Sequence, residues 1–347
     1  MKVFVTGTEG YIGSVLAPRL VEAGHDVHGV DTCFYTDGWL FDPGYEPFPT
    51  ERKDIRDVTP QDLEGYDAVV HMAELSNDPL GQFNPGVTHN INHLGSVSLA
   101  KAAKAAGVSR FVYTSSCSVY GLGEDGYRTE SSQTNPQTAY AECKTLVERD
   151  VGAMAGDNFS PTFLRNATAF GPSPRMRFDI VLNNLAGLAW TTRRIALTSD
   201  GSPWRPLVHV ADICEAIRCS LEAPRDAIHG EIFNVGSTVQ NYQVREIAEF
   251  VAQALPGCEL TIGSSDGDNR SYRVSFEKIA SQLPGFRCQR DAETGARELM
   301  EVFQRIDMNE ETFTAAPYTR LKQLQKHIRS ESLDKDLRWQ TEPATAG

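Results

Sequence analysis

The sequence predicts an α/β protein, a doubly wound parallel sheet followed by a smaller mixed α/β lobe. Three observations predict it. Short β-branched runs alternate with helical stretches through the first half of the chain, the signature of parallel strands joined by crossover helices. A glycine-rich turn, Gly7-x-x-Gly10-x-x-Gly13, stands between the first strand and the first helix. After about residue 170 proline and glycine rise, as in Gly171-Pro172-Ser173-Pro174, and the alternation becomes irregular.

Val3–Val5 is the expected first strand. Tyr11–Ala23 follows as a helix, with Ile12, Val15, Leu16, Leu20 and Val21 at helical spacing and Gly24 at its end. Val27–Val30, Ala68–His71 and Arg110–Tyr113 read as further strands, and Phe163–Leu164 closes another. Asn92–Ala106 is an alanine-rich helix and Pro136–Ala155 a second. Residues 1–170 form the expected nucleotide-binding domain, with about 207–235 returning to its sheet. Residues 171–206 and 236–347 form the second lobe. The tail from Tyr318 to Trp339 reads as a charged helix packed on the surface.

The chain has 347 residues, 40% hydrophobic and 23% charged, which is globular composition with room for a full core. A net charge of −13 argues against a nucleic-acid or anionic-membrane binder, so an anionic ligand needs local help from amides and arginines. Seven scattered cysteines without a Cys-x-x-Cys pair read as free thiols in a reducing compartment, with no zinc site. The chain opens on a strand-like run and contains no apolar stretch of membrane-spanning length, so a soluble cytoplasmic protein is expected.

Glycines between a first strand and helix permit a tight turn, close approach to a diphosphate, and close packing of helix on strand. Asp31, ending the second strand, lies at the spacing of a carboxylate that accepts a ribose diol and repels a 2′-phosphate. That favours NAD over NADP. Glu9, inside the turn, is expected to face solvent, away from any diphosphate.

Tyr140 precedes Lys144 by one helical turn, so a phenol and an ammonium share a helix face. The cation should draw the phenol, ordinarily near a pKa of about 10, toward neutrality and fit it for acid/base work at an alcohol. Spacing alone does not distinguish this pair from Tyr318 and Lys322.

Three segments together supply the difference. They are Thr6-Gly7-Thr8-Glu9-Gly10-Tyr11-Ile12-Gly13, Thr114-Ser115-Ser116-Cys117-Ser118-Val119-Tyr120-Gly121, and Tyr140-x-x-x-Lys144. With them the chain resembles the extended short-chain dehydrogenase/reductase family, and within it the nucleotide-sugar epimerases and dehydratases typified by UDP-glucose 4-epimerases. The resemblance continues through Arg205-Pro206-Leu207-Val208-His209 and Phe233-Asn234-Val235-Gly236, covering roughly residues 1–280. It implies a Rossmann-like sheet, NAD as cofactor, a nucleotide-diphosphate sugar as substrate, and a homodimer paired through helices 92–106 and 136–155.

The resemblance further implies that Tyr140 is the acid/base beside the cofactor, that Lys144 is its partner and also holds the nicotinamide ribose, and that Ser116 bonds the reacting sugar oxygen. Gly7, Gly10, Tyr11, Ile12 and Gly13 would hold the diphosphate, Asp31 the ribose, Asp54 and Ile55 the adenine, with Ala73 and Asn92 beside the nicotinamide. Asn184 and Leu185 resemble the segment that holds the sugar donor's base, and Arg205 and Arg270 are candidates for its diphosphate. Asn166 and Thr168 lie in a segment that departs from the family's asparagine position. His71 and His209 read as buried strand-end residues.

Dehydratases of the family carry an Asp-Glu pair, and decarboxylases a Glu, where this chain has Cys117 and Ser118. Epimerisation through a transient 4-keto sugar is therefore the leading expectation, and 4-ketoreduction the alternative. Elimination, decarboxylation and a non-catalytic dinucleotide sensor rank below both. Cys117 reads first as a small buried thiol, with proton exchange beside a ketone (a C3/C5 epimerase) as the other reading. Glu74, placed near the sugar, either accepts sugar hydroxyls, acts as a further acid/base, or faces solvent.

Overall fold

The computed structural model describes residues 1–122, 126–265 and 271–340. Its first strands are β1 (Lys2–Thr6), β2 (Asp26–Asp31), β3 (Thr50–Arg52), β4 (Ala68–His71) and β5 (Arg110–Ser116). The short β6 (Tyr127–Arg128) precedes β7 (Ser160–Asn166), β8 (Thr168–Phe170), β9 (Arg194–Ser199), β10 (Trp204–His209) and β11 (Ile232–Val235). The lobe adds β12 (Asn241–Gln243), β13 (Glu259–Ser265) and β14 (Arg273–Val274).

Seven strands form one parallel sheet in the order β11-β7-β5-β4-β1-β2-β3. The chain starts at β1, winds outward to β3, then restarts at β4 on the other side. A crevice therefore opens outside the carboxyl ends of β1 and β4. Register makes those ends flush, because Thr6 pairs with both Val30 and His71. The same logic sets Ser116 beside Asn166 on β5 and β7. Helices α1 (Gly13–Glu22), α2 (Ser96–Ala105), α3 (Ala139–Gly152) and α4 (Val181–Thr192) follow in order. Next come α5 (Val210–Glu222), α6 (Val244–Ala254), α7 (Ala292–Arg305) and α8 (Arg320–Arg329).

Two apolar clusters hold the layers together. Val3, Val5, Leu16, Val70 and Val112 belong to one, and Phe4, Val69, Leu99, Phe111 and Phe163 to the other. Alternate residues of β1, β4 and β5 thus pack on opposite sheet faces, as the two-residue strand period requires. Both faces are covered, which is the condition for a parallel sheet.

Between residues 207 and 235, β11 joins the main sheet beside β7, whereas β10 pairs with β8 and β12 in a separate three-stranded sheet. The expected helix over 92–106 is two pieces, a π-helical turn at His89–Gly95 and then α2. Among the described residues no helix is long and apolar enough to cross a membrane. All seven cysteines are unpaired.

Candidate active site

The glycine turn is as close to its neighbours as backbone allows. Gly7 has φ +84°, and a Cβ there would lie 3.0 Å from the Ala73 backbone nitrogen. At Gly13 a Cβ would come within 2.0 Å of the Gly7 carbonyl oxygen. Only glycine permits both contacts. The turn, Asp31, the Asp54–Ile55 pair and Ala73 line a single groove along the carboxyl ends of the strands. A carboxylate at one end, amides and a helix N-terminus in the middle, and a small side chain at the other end together fit a dinucleotide.

Asp31 is held by the turn it serves. Its carboxylate accepts from the Cys33 amide at 2.7 Å and from the Glu9 amide at 3.1 Å. Burial pushes its pKa up to about 6, against the pull of the Cys33 amide. Glu9 does not face solvent. Its carboxylate is buried against the Arg175 guanidinium, which also stacks 4.9 Å from the Trp39 ring. A neutralised Glu9 removes the repulsion that a diphosphate would otherwise meet.

The second cavity, of about 460 Å³, adjoins the groove; Ile12, Met72, Glu74, Ser76, Ala169 and Arg177 line both. β5 ends at Ser116, whose Oγ accepts from the Ser118 amide at 3.1 Å and so starts the tight turn Cys117–Tyr120. Thr138 caps α3 by accepting from the Ala141 amide at 3.2 Å, which places Tyr140 in the first turn and Lys144 in the second. Ser116, Tyr140 and Lys144 all line this cavity. The Ser118 hydroxyl and the Asn166 Oδ1 are buried there without a hydrogen-bond partner among the described residues. Thr168 and Arg205 complete the polar wall.

Lys144 is enclosed. Its Nζ donates to the Thr114 carbonyl at 2.5 Å and lies 2.7 Å from the Glu74 carboxylate. Tyr113 donates its hydroxyl to the same carboxylate at 2.5 Å, and the Glu74 side chain is 2% exposed. Glu74 therefore neither faces solvent nor stands free beside the sugar. Burial lowers the Lys144 pKa, but Glu74 and Tyr140 outweigh that and leave it above its ordinary value.

The expected descent of the Tyr140 phenol toward neutrality requires correction. Burial pushes its pKa up. Lys144 pulls it down, Glu74 and Asp78 push it up, and the hydrogen bond with Ser116 pulls it down. The net direction is upward because burial is the largest effect, and Glu74 and Asp78 add to it against the pull of Lys144.

Other expected positions also differ. Cys117 does not line the cavity. It is 1% exposed, its thiol donates to the Arg165 carbonyl at 3.1 Å, and burial pushes its pKa up. The turn after β5 points it back into the core, which removes the reading of Cys117 as a substrate-side acid/base. Asn92 lies one layer behind the groove, clamping Leu75 by accepting from its amide at 2.9 Å and donating to its carbonyl at 3.0 Å. The π-helical turn aims it there and positions the Ala73–Leu75 loop. Asn184 donates to the Phe178 carbonyl and Leu185 packs in the core; neither lines the groove or the cavity. Arg270 lies outside the described residues.

His71 is fully buried between Thr6 and Ser96, and desolvation lowers its pKa to about 3, so it is neutral. His209 is buried and pairs with Glu298 at 2.8 Å. Three residues had no signal in the sequence: Tyr113, Arg177 and Arg320. Arg177 pairs with Asp179 at 2.8 Å and donates to the Ser76 hydroxyl, about a hundred residues away in the chain, at 3.2 Å. No local motif marks any of them, because each acquires its place through contacts distant in sequence.

Residues 3–236 match the NAD dependent epimerase/dehydratase family. A UDP-glucose 4-epimerase of Corynebacterium glutamicum is 30% identical over 305 residues, spanning 82% of this chain and 90% of that protein. The structure of MoeE5 in complex with UDP-glucuronic acid and NAD superposes with a TM-score of 0.75 at 28% identity, covering 88% of this chain and 99% of that one. A UDP-glucose 4-epimerase from Stenotrophomonas maltophila, with bound NAD and formylated UDP-arabinopyranose, gives a TM-score of 0.75 at 25% identity, with coverage of 88% and 99%.

Proposed function

Because the chain belongs to the NAD dependent epimerase/dehydratase family, we propose that this NAD-dependent enzyme is a nucleotide-sugar epimerase working through a transient 4-keto sugar. The observation that carries the reading is the shared wall. Ser116, Tyr140 and Lys144 line a cavity that opens directly into the dinucleotide groove. A sugar hydroxyl beside Tyr140 would thus sit next to the nicotinamide end.

NAD, when bound, supplies a hydride acceptor and donor beside the sugar carbon. The chain's own residues handle position and protons. The glycine turn and the first amides of α1 hold the diphosphate, Asp31 the ribose, and the Asp54–Ile55 segment the adenine. Tyr140 takes the C4 hydroxyl proton and returns it. Ser116 orients that oxygen, and Lys144 stabilises the phenolate. Ser118, Asn166, Thr168 and Arg205 bind the sugar nucleotide, the first two through hydrogen-bonding capacity left unused within the protein.

The cavity's carboxylates favour epimerisation over elimination. Glu74 is tied to Lys144, Asp78 accepts from Thr138, and Asp179 pairs with Arg177. Each is engaged, and neither of the two residues after Ser116, Cys117 and Ser118, is a carboxylic acid. Exposed Leu94 in the π-helical turn that precedes α2 and seven unpaired cysteines support a cytoplasmic homodimer. Purified protein should interconvert UDP-glucose and its C4 epimer without added cofactor. Stoichiometric consumption of added NADH would instead identify a ketoreductase.

A further inference from the structure

The tail, legible in sequence only as a charged helix, folds back onto the dinucleotide groove. The Tyr318 carbonyl accepts from the Phe178 amide at 2.9 Å, and α8 then begins with Arg320. The Arg320 guanidinium lies in the groove wall, 4.1 Å from the centre of the Tyr35 ring. It is 2% exposed and donates to two main-chain carbonyls, those of Pro317 at 3.1 Å and Arg175 at 3.3 Å. Among the described residues no carboxylate lies within ion-pair distance of it.

Arg177 lines the same groove, and its buried Nη2 has no acceptor among the described residues. Burial and the Arg177 charge lower the Arg320 pKa to about 10. Asp179 pairs with Arg177 at 2.8 Å and accepts from the Arg320 main-chain amide at 3.3 Å, so two buried guanidinium groups share that counter-charge and a further anion in the groove would balance them. α8 and the tail beyond it pack against Thr32, Phe34 and Asp54, which line one end of the groove. Trp339 donates its indole N–H to the Thr32 carbonyl at 2.7 Å, and Arg338 forks onto Asp57 and lies 3.3 Å from Asp54. His327 bonds the Phe34 carbonyl at 2.9 Å.

We propose that the C-terminal segment 316–340 completes the dinucleotide site. Arg320 and Arg177 receive the cofactor's diphosphate on a wall that the glycine turn does not supply. The Arg338–Trp339 turn latches the adenosine end by holding the loop after β2 and the segment of Asp54. NAD is thereby gripped by both ends of the chain, as suits a coenzyme that is recycled in place. The inference rests on NAD as the cofactor and not on which sugar reaction follows.

Calorimetry on nucleotide-stripped protein with NAD, ADP-ribose and adenosine tests it. Arg320→Met should weaken NAD and ADP-ribose at least about tenfold, the loss of a charge-assisted phosphate contact, while leaving adenosine unchanged. Arg320→Lys keeps the charge but loses the planar fork, so it should fall between. Wild-type ADP-ribose affinity in either variant, or an equal loss for adenosine, would overturn the diphosphate role. For the latch, the Arg338→Ala, Trp339→Ala double variant should release bound NAD at least about tenfold faster in stopped flow. An unchanged release rate would overturn it.

Discussion

The Lys144 ammonium lies 2.7 Å from the Glu74 carboxylate, with both side chains at most 4% exposed. The cation beside the proposed base is therefore paired within the protein. Its pull on Tyr140 is divided, and the phenol rests above its ordinary pKa.

Removing the Glu74 charge should reverse part of that. Glu74 raises the Tyr140 pKa, so Glu74→Gln should lower it while still accepting the Tyr113 hydroxyl. The acidic limb of the kcat profile should move down by about one pH unit. Stability should fall by about 3 kcal/mol, because Lys144 is left buried without its counter-charge. An unmoved limb would show that Glu74 does not tune the base.

Tyr140→Phe removes the proton carrier and nothing else of size. Turnover should drop about 10³-fold, the scale of positioned acid/base catalysis. NAD content after purification should stay at the wild-type level. Full activity in this variant would refute the assignment of Tyr140.

Asp31 predicts a pH dependence of cofactor affinity. Burial pushes its pKa up to about 6, and the ribose diol is best received by the ionised form. NAD affinity should therefore fall as pH drops through about 6. The sign for stability is opposite. A carboxyl whose folded pKa is raised favours the native state below its unfolded pKa and loses that benefit as pH rises through 6. Asp31→Asn should thus raise the ligand-free melting temperature at pH 8 while weakening NAD; titration and melting curves across pH 5–8 check both.

Cys117 should be dispensable for chemistry. A serine hydroxyl can donate to the same Arg165 carbonyl, so Cys117→Ser should keep kcat within about twofold. Thiol reagents should not reach Cys117 in the folded protein. A large loss of kcat without a loss of stability would restore the thiol to the mechanism.

The sheet was legible because its strands are marked by local period and its turn by glycine. Ala68–His71 forms a strand over the expected residues, and β1, β2 and β5 extend the expected runs by a residue or more. Ser116, Tyr140 and Lys144 share one cavity because Ser116 ends β5 and Tyr140 and Lys144 lie in the first two turns of α3, segments that motifs mark. What sequence did not disclose is partnership across distance. Glu9 meets Arg175, Glu74 meets Lys144 and Tyr113, and Trp339 meets Thr32 only after the chain has folded. Asn92 differs from expectation because it lies in a π-helical turn, fully buried and bonded to the Leu75 backbone behind the groove.

The most direct test of the central claim is isotopic. UDP-glucose carrying deuterium at C4 is incubated with purified protein, without added cofactor, and the product is examined by NMR and mass spectrometry. Epimerisation through NAD held in place predicts the C4 epimer with deuterium retained at C4 and no hydrogen exchanged from solvent. Solvent hydrogen at C3 or C5, or product formation only at the expense of added NADH, would contradict it.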